Sequence, residues 1–163
     1  MSPLRRVFGE RAGPQALGIL VPPGRRTVLI LRPRALAWDL LLIQPGAAAE
    51  PFRELERSEA EAAAEQLCRA LEEWAGGGPG RVEAVPLPGG GHCVRADVGA
   101  FPLIACLRRP GQPYRPMVFA NADEAHAAAT AIAAVLCPAA GRVQEVYFNT
   151  RHFRRGTLSA EDR

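Results

Sequence analysis

The chain contains no lysine, and this absence changes how its basic charge is interpreted. All 20 basic residues among the 163 are Arg, and they accompany 16 Gly and 15 Pro. These residue types share GC-rich codons, so we interpret the Arg content as codon bias rather than as a choice of the planar guanidinium. The net charge of +3 therefore does not by itself indicate nucleic-acid binding.

The cysteine and serine patterns that carry chemistry are also missing. The four Cys form no Cys-x-x-Cys pair of the zinc or thioredoxin type. Ser occurs at only three positions, and none lies in a Gly-x-Ser-x-Gly motif. We therefore predict no catalytic residue, no metal site and no cofactor.

Long apolar runs are absent as well. The longest candidates, residues 36–43 and 125–137, are shorter than the roughly 20 residues that span a bilayer. Arg5 and Arg6 are not followed by the apolar region of a secretory signal. We expect a cytoplasmic protein with reduced thiols and no membrane span.

A repeat is the most informative feature that the sequence does contain. The frame Glu-Ala-x-Ala-Ala-Ala begins at Glu59 and returns at Glu124, and each copy continues into Gly-Arg-Val. Both copies carry apolar residues at helical spacing, and strand-like segments precede and follow each helix. The repeat predicts an α+β fold in which a strand-strand-strand-helix-strand unit is duplicated. The two units form a mainly antiparallel sheet, with two helices packed on one face.

The predicted boundaries follow from this repeat. One pseudo-symmetric domain covers 16–150, with units 16–88 and 91–148. Residues 1–15 form a flexible arm and residues 151–163 a basic tail. Within the second unit, 92–98 and 101–107 form a hairpin about the turn Gly99-Ala100, and 114–120 is the third strand.

The helix ends are predicted from their flanking residues. Ser58 and Glu61 fit a capping box, and Asn121 or Asp123 caps the second helix. The segment 76–80 is rich in Gly, but it follows a helix instead of opening one. It therefore lacks the context of a phosphate-binding loop.

The hairpin predicts which residues share a face of the sheet. Residues whose numbers sum to 199 lie opposite one another, so Cys93 faces Cys106, as a reduced pair, a disulfide or part of a metal site. His92 points to the other face, which disfavours a joint site with Cys93. The face that carries Cys93, Arg95, Ile104 and Arg108 is expected to be uncovered and open to a partner.

Asp39 interrupts an apolar strand beside Trp38. It either marks the solvent side of that strand or is a buried carboxylate with a raised pKa. The second alternative would make Trp38 and Asp39 part of a ligand cleft between the two units.

Two basic groups complete the candidate surfaces. Arg side chains flank the same Leu-Arg turn in both units, so pseudo-symmetry places them at related corners of the sheet. These residues are Arg32, Arg34, Arg108, Arg109 and Arg115. Near the C-terminus, aromatic residues alternate with Arg, a pattern that suits a protein interface, base stacking or closure of the core. The residues of this segment are Tyr147, Phe148, Arg151, His152, Phe153, Arg154 and Arg155.

These observations favour a non-enzymatic protein-interaction or assembly module, bound to a protein partner or to a second copy. The candidate contacts are the C-terminal segment together with Arg95, Ile104 and Arg108. The first alternative is a small-molecule-binding or enzymatic domain that uses the Trp38–Asp39 cleft. The second alternative is single-stranded nucleic-acid binding through the C-terminal segment.

Overall fold

Nine strands and two helices make up the part of the chain that the structure describes. This structure is a computed structural model, and it describes residues 17–20, 26–33, 36–44, 52–109, 111–136 and 146–148. The elements in chain order are β1 Leu17–Leu20, β2 Arg26–Thr27, β3 Ile30–Pro33, β4 Trp38–Leu42, β5 Leu55–Glu56, α1 Arg57–Ala75, β6 Gly80–Pro86, β7 His92–Val98, β8 Phe101–Leu107, α2 Ala122–Leu136 and β9 Val146–Phe148.

Seven strands form one sheet in the order β1-β3-β4-β8-β7-β6-β9. Its ladders are antiparallel, except that β9 runs parallel to β6. Strands β2 and β5 pair separately as a short antiparallel ribbon. The predicted α+β class with a mainly antiparallel sheet is confirmed. The duplication stays a prediction, and the predicted arm 1–15 and tail 151–163 lie outside the described residues.

Alternating side chains place the main core on one face of the sheet. Val94, Ala96 and Val98 of β7 are fully buried with Leu40 of β4 and Leu67 of α1 in one cluster. Both helices contribute their apolar stripes to this cluster, so they cover the same face, as predicted. Within the described residues, neither helix is both long and apolar enough to cross a membrane.

The β7–β8 hairpin has the predicted register, but its strands separate at their far ends. Arg95 pairs with Ile104 and Val98 with Phe101, around a Gly99 whose φ is +59°. Further along, the segment 116–119 lies between the two strands. Its Pro116 bridges Cys106 of β8 and its Phe119 bridges His92 of β7.

This inserted segment corrects the predicted third strand at 114–120. Two isolated bridges hold the segment instead of a regular ladder. The amide of Met117 donates to the carbonyl of Ala105 at 2.8 Å, and the Phe119 amide donates to the His92 carbonyl at 2.7 Å. The segment is therefore tied to β8 at one end and to β7 at the other.

The start of α1 differs from the prediction. The helix begins at Arg57, and Glu56 precedes it without a side-chain capping hydrogen bond. Ser58 thus lies inside the first turn, so the predicted capping box with Glu61 is wrong. Glu61 instead pairs with Arg57, with the Arg57 Nε 3.4 Å from its Oε1. This i,i+4 pair is worth a few tenths of a kcal/mol.

The Gly-rich segment 76–80 closes the C-terminal end of α1. Gly78 donates its amide to the carbonyl of Glu73, and Gly77 donates to that of Trp74. These two bonds, with Gly77 at a φ of +103°, form the Schellman arrangement that closes many helices. The glycines terminate the helix, which agrees with the exclusion of a phosphate loop.

The second helix begins where the sequence predicted. The Asn121 Oδ1 accepts a hydrogen bond from the Glu124 amide at 2.9 Å, as an N-cap does. The buried stripe of α2 consists mainly of Ala, whose small side chains let the helix lie close to the sheet. Its members are Ala125, Ala128, Ala129, Ile132, Ala133 and Leu136.

Gly80 should tolerate no side chain, because Trp74 covers it. A Cβ added there would lie 2.6 Å from the Cγ and Cε2 atoms of the Trp74 ring, which is itself only 1% exposed. We expect Gly80→Ala to lower the free energy of unfolding by about 2 kcal/mol, measured by urea denaturation. Gly89→Ala is the control, since a Cβ there meets no atom within 4 Å. Equal stabilities of the two variants would contradict this packing.

Candidate binding groove and the buried carboxylate that anchors it

Asp39 is a fully buried carboxylate on the sheet face opposite the helices. It lies in β4 and pairs in register with Cys106 of β8, while β3 flanks β4 on its other side. Its exposed fraction is 0%, and it is one of two buried polar or charged residues among those described. Asp39 therefore does not mark the solvent side of its strand, and its burial agrees with the other sequence alternative. A buried carboxylate requires compensating hydrogen bonds or charges.

Arg32 and Tyr114 provide part of this compensation. The Nε of Arg32 lies 3.0 Å from Asp39 Oδ1 and its Nη2 lies 2.9 Å from Oδ2, which is a bidentate pair. The Tyr114 hydroxyl donates to Oδ2 at 3.3 Å and accepts from Arg32 Nη2 at 3.4 Å. The carboxylate thus connects β3 and β4 with the loop that follows β8.

Arg108 completes the shell around the carboxylate. Its Nε donates to Asp39 Oδ1 at 2.8 Å, and its Nη2 donates to the carbonyls of Pro33 and Trp38 at 2.9 and 3.2 Å. Arg32 and Arg108 occupy matching positions in the two Leu-Arg turns of the sequence. The sequence predicted these two arginines at related corners of the sheet, whereas the structure brings both of them to one carboxylate, Asp39.

The electrostatics of this cluster favour the protonated forms of Arg32 and Tyr114. The hydrogen bond with Asp39 raises the pKa of Arg32 above its ordinary value, so the guanidinium remains charged. Burial, together with the nearby Asp39 charge, raises the pKa of Tyr114, so its hydroxyl keeps its proton. Both carboxylate oxygens already accept hydrogen bonds from several donors. The arrangement is that of a structural anchor rather than of a general base.

The predicted cleft of Trp38 and Asp39 is not formed as one site. Adjacent residues of a strand point to opposite faces. Trp38 packs against the helical core and makes an edge-to-face contact with Phe119, at a ring centroid distance of 6.0 Å. Asp39 points to the other face, so the two side chains cannot line the same cleft.

The prediction of an uncovered second face is also wrong at its centre. Ile104, Cys93 and Cys106 are all 0% exposed and belong to a second buried cluster. Partly buried side chains from outside these strands pack over it, including those of Phe52 and Tyr114. Periodicity identified the face correctly but could not show that loops cover it. Ile104 therefore cannot contact a partner in this structure.

The buried cysteines are not joined in a disulfide. Cys68, Cys93 and Cys106 are all in the thiol form. The ladder between β7 and β8 ends before it reaches Cys93 and Cys106, because the segment 116–119 lies between those strand ends. Burial raises the pKa of the Cys93 thiol to about 11, which disfavours the reactive thiolate. No three His, Cys, Asp or Glu side chains in the described ranges group as metal ligands would.

The other predicted contact residues have mixed outcomes. Arg95 lies on the second face, where it pairs with Asp97 at 3.1 Å and both side chains are about one-fifth exposed. Arg108 is committed to Asp39. Tyr147 and Phe148 belong to β9, at the edge of the sheet. The remaining residues of the C-terminal segment, Arg151, His152, Phe153, Arg154 and Arg155, lie outside the described residues.

A groove lies along the loop that connects β8 to α2. It has a volume of about 580 Å³ and is partly enclosed by its lining and partly open to solvent. A turn in which the Gln112 amide donates to the Arg109 carbonyl at 3.2 Å shapes one end, with Gly111 at a φ of +76°. Its lining includes Arg109, Gln112, Pro113, Arg115, Met117 and Val118.

The sequence interpretation missed most of this groove. It assigned 114–120 to a strand and grouped Arg109 and Arg115 with the sheet corners, and it did not single out Gln112, Met117 or Val118. The signal that could have identified a loop was the proline at 110, 113 and 116, because repeated Pro residues do not suit a ladder.

Within the described part of the chain, Val118 is the one large apolar side chain that is strongly exposed, at 53%. Its neighbours Met117 and Phe119 are held by the backbone hydrogen bonds to Ala105 and His92. A Cβ added to Gly91 would lie 2.6 Å from the Val118 Cγ1, so that glycine lets the segment approach β7. Val118 is exposed on a fixed backbone.

Neither a protein-family model, nor a curated protein, nor a solved structure matches this chain. The fold and the groove define the chain as an α+β protein with both faces of its sheet buried at their centres and an arginine-bearing groove beside Tyr114.

Replacement of Asp39 tests the anchor. Asp39→Asn removes the charge that balances two guanidiniums, of which Arg32 is 36% and Arg108 27% exposed. We expect a loss of about 3 kcal/mol in the free energy of unfolding, measured by urea denaturation. Asp97→Asn is the matched control, since its carboxylate is 22% exposed and should cost about 1 kcal/mol. If Asp39→Asn cost no more than Asp97→Asn, the anchor role would be refuted.

Proposed function

We propose that this chain is a non-enzymatic interaction module of the cytoplasm that binds a protein partner through the groove along 109–118. The observation that carries the proposal is the coincidence of this groove with Val118, the strongly exposed large apolar residue of the described chain. Exposed apolar side chains within a rigid, partly polar surface are typical of sites where proteins dock.

The state of the buried polar groups supports binding over catalysis. Asp39 is the fully buried acid of the described chain, and its hydrogen bonds to Arg32, Arg108 and Tyr114 occupy both oxygens. A group committed in this way holds the groove loop in place instead of accepting a proton from a substrate. The C-terminal segment 147–155 remains a second predicted contact surface, and self-association remains part of the proposal.

Site-specific photo-crosslinking tests the proposal directly. With p-benzoylphenylalanine in place of Val118, we expect a discrete crosslinked product in a lysate of the expressing cells, because a docked partner lies against this residue. The control carries the same photo-reactive residue in place of Ala62, which is exposed on α1. The absence of a product from position 118, or the same products from both positions, would reject the groove as the docking surface.

A further inference from the structure

The described residues that line the groove carry positive charge. They include Arg109 and Arg115, and none of them is Asp or Glu. Neither side chain makes an ion pair with any described residue, in contrast to Arg32, Arg95 and Arg108. Two guanidiniums that are not neutralised within the protein are suited to bind carboxylate or phosphate oxygens.

The apolar part of the groove lies in the same stretch of chain. Met117 and Val118 follow Arg115 directly, separated from it by Pro116 alone. Backbone hydrogen bonds at both ends of this stretch fix its conformation. A rigid surface loses little conformational entropy on binding, and this favours recognition of a segment that must itself become ordered.

The lining also distinguishes between classes of ligand. Among the described residues that line the groove there is no aromatic ring, whereas stacking on aromatic rings is a usual feature of single-stranded nucleic-acid binding. The groove is only partly enclosed, whereas sites for small molecules bury most of the ligand surface. Charge and apolar contact in one partly open groove suit an extended peptide.

From this arrangement we infer that the groove binds an acidic, extended segment of another protein. Carboxylate side chains of that segment contact Arg109 and Arg115, and an apolar side chain contacts Val118. The inference rests on the proposed function and specifies the chemistry of the partner.

The test uses fluorescence anisotropy with two labelled peptides of equal length, one alternating Glu with Leu and the other alternating Gln with Leu. We expect the Glu peptide to bind the full chain at least about tenfold more tightly, and more weakly as salt is raised. The double variant Arg109→Gln/Arg115→Gln should remove this preference. The double variant Arg53→Gln/Arg69→Gln is the control, because it removes the same charge from exposed positions outside the groove and should keep the preference.

Several results would overturn the inference. It fails if the Glu peptide does not bind, or if its affinity is unchanged in the Arg109→Gln/Arg115→Gln variant. It also fails if inorganic phosphate or a thymidine oligonucleotide competes at a concentration below that of the peptide, since the ligand would then be a small anion or a nucleic acid. Light scattering that shows a wild-type dimer dissociated by the same double variant would assign the groove to a second copy.

The outcome separates this inference from the proposed function. If both peptides bind equally and Val118→Ser weakens both, the groove docks peptides without selecting charge. The proposed function then stands and the inference is rejected. If neither peptide binds and the crosslink at position 118 is also absent, both are rejected. Thermal unfolding of each variant establishes that a loss of binding does not reflect a loss of folding.

Discussion

The placement of one buried negative charge is the constraint on which the rest of this structure depends. Asp39 lies at the centre of a sheet face, where an uncompensated carboxylate would cost several kcal/mol. Hydrogen bonds from Arg32, Arg108 and Tyr114 to the carboxylate offset this cost. These partners come from β3, from the residue that directly follows β8 and from the loop beyond it. Because all three partners must reach the same carboxylate, the buried charge fixes how these parts of the chain lie relative to one another.

The loop gains its shape from the same interaction. Tyr114 reaches Asp39 near one end of the groove, while Met117 and Phe119 bond to the strands at the other. Tyr114 also packs over the buried cluster that contains Ile104 and Cys106. The contacts of Tyr114 therefore both cover the second face of the sheet and position the loop that forms the groove. Arg109 and Arg115, in the same loop, pair neither with this carboxylate nor with another acid of the described chain.

The sequence pattern predicted the strands and helices more accurately than it predicted which faces of the sheet are covered by other residues. Alternation located the β7–β8 hairpin and its register, and the Asn121 cap located α2, because both signals are local. The capping box at Ser58 failed because the N-cap of α1 is Glu56, two residues earlier, at the end of β5. The local pattern placed Asp39 and Trp38 in one strand, but it could not predict which face of the sheet the loops cover. Coverage depends on contacts between residues about 75 positions apart in the sequence.

Amide hydrogen exchange in Tyr114→Phe tests most directly whether the buried carboxylate holds the groove. The substitution removes only the hydroxyl that binds Asp39. We predict that the Met117 amide, which is bonded to Ala105, exchanges about tenfold faster. The Leu42 amide, bonded to Leu29 within the sheet, should exchange at the wild-type rate. Unchanged exchange at Met117 would mean that the loop keeps its shape without the hydrogen bond between Tyr114 and Asp39, and would contradict the account.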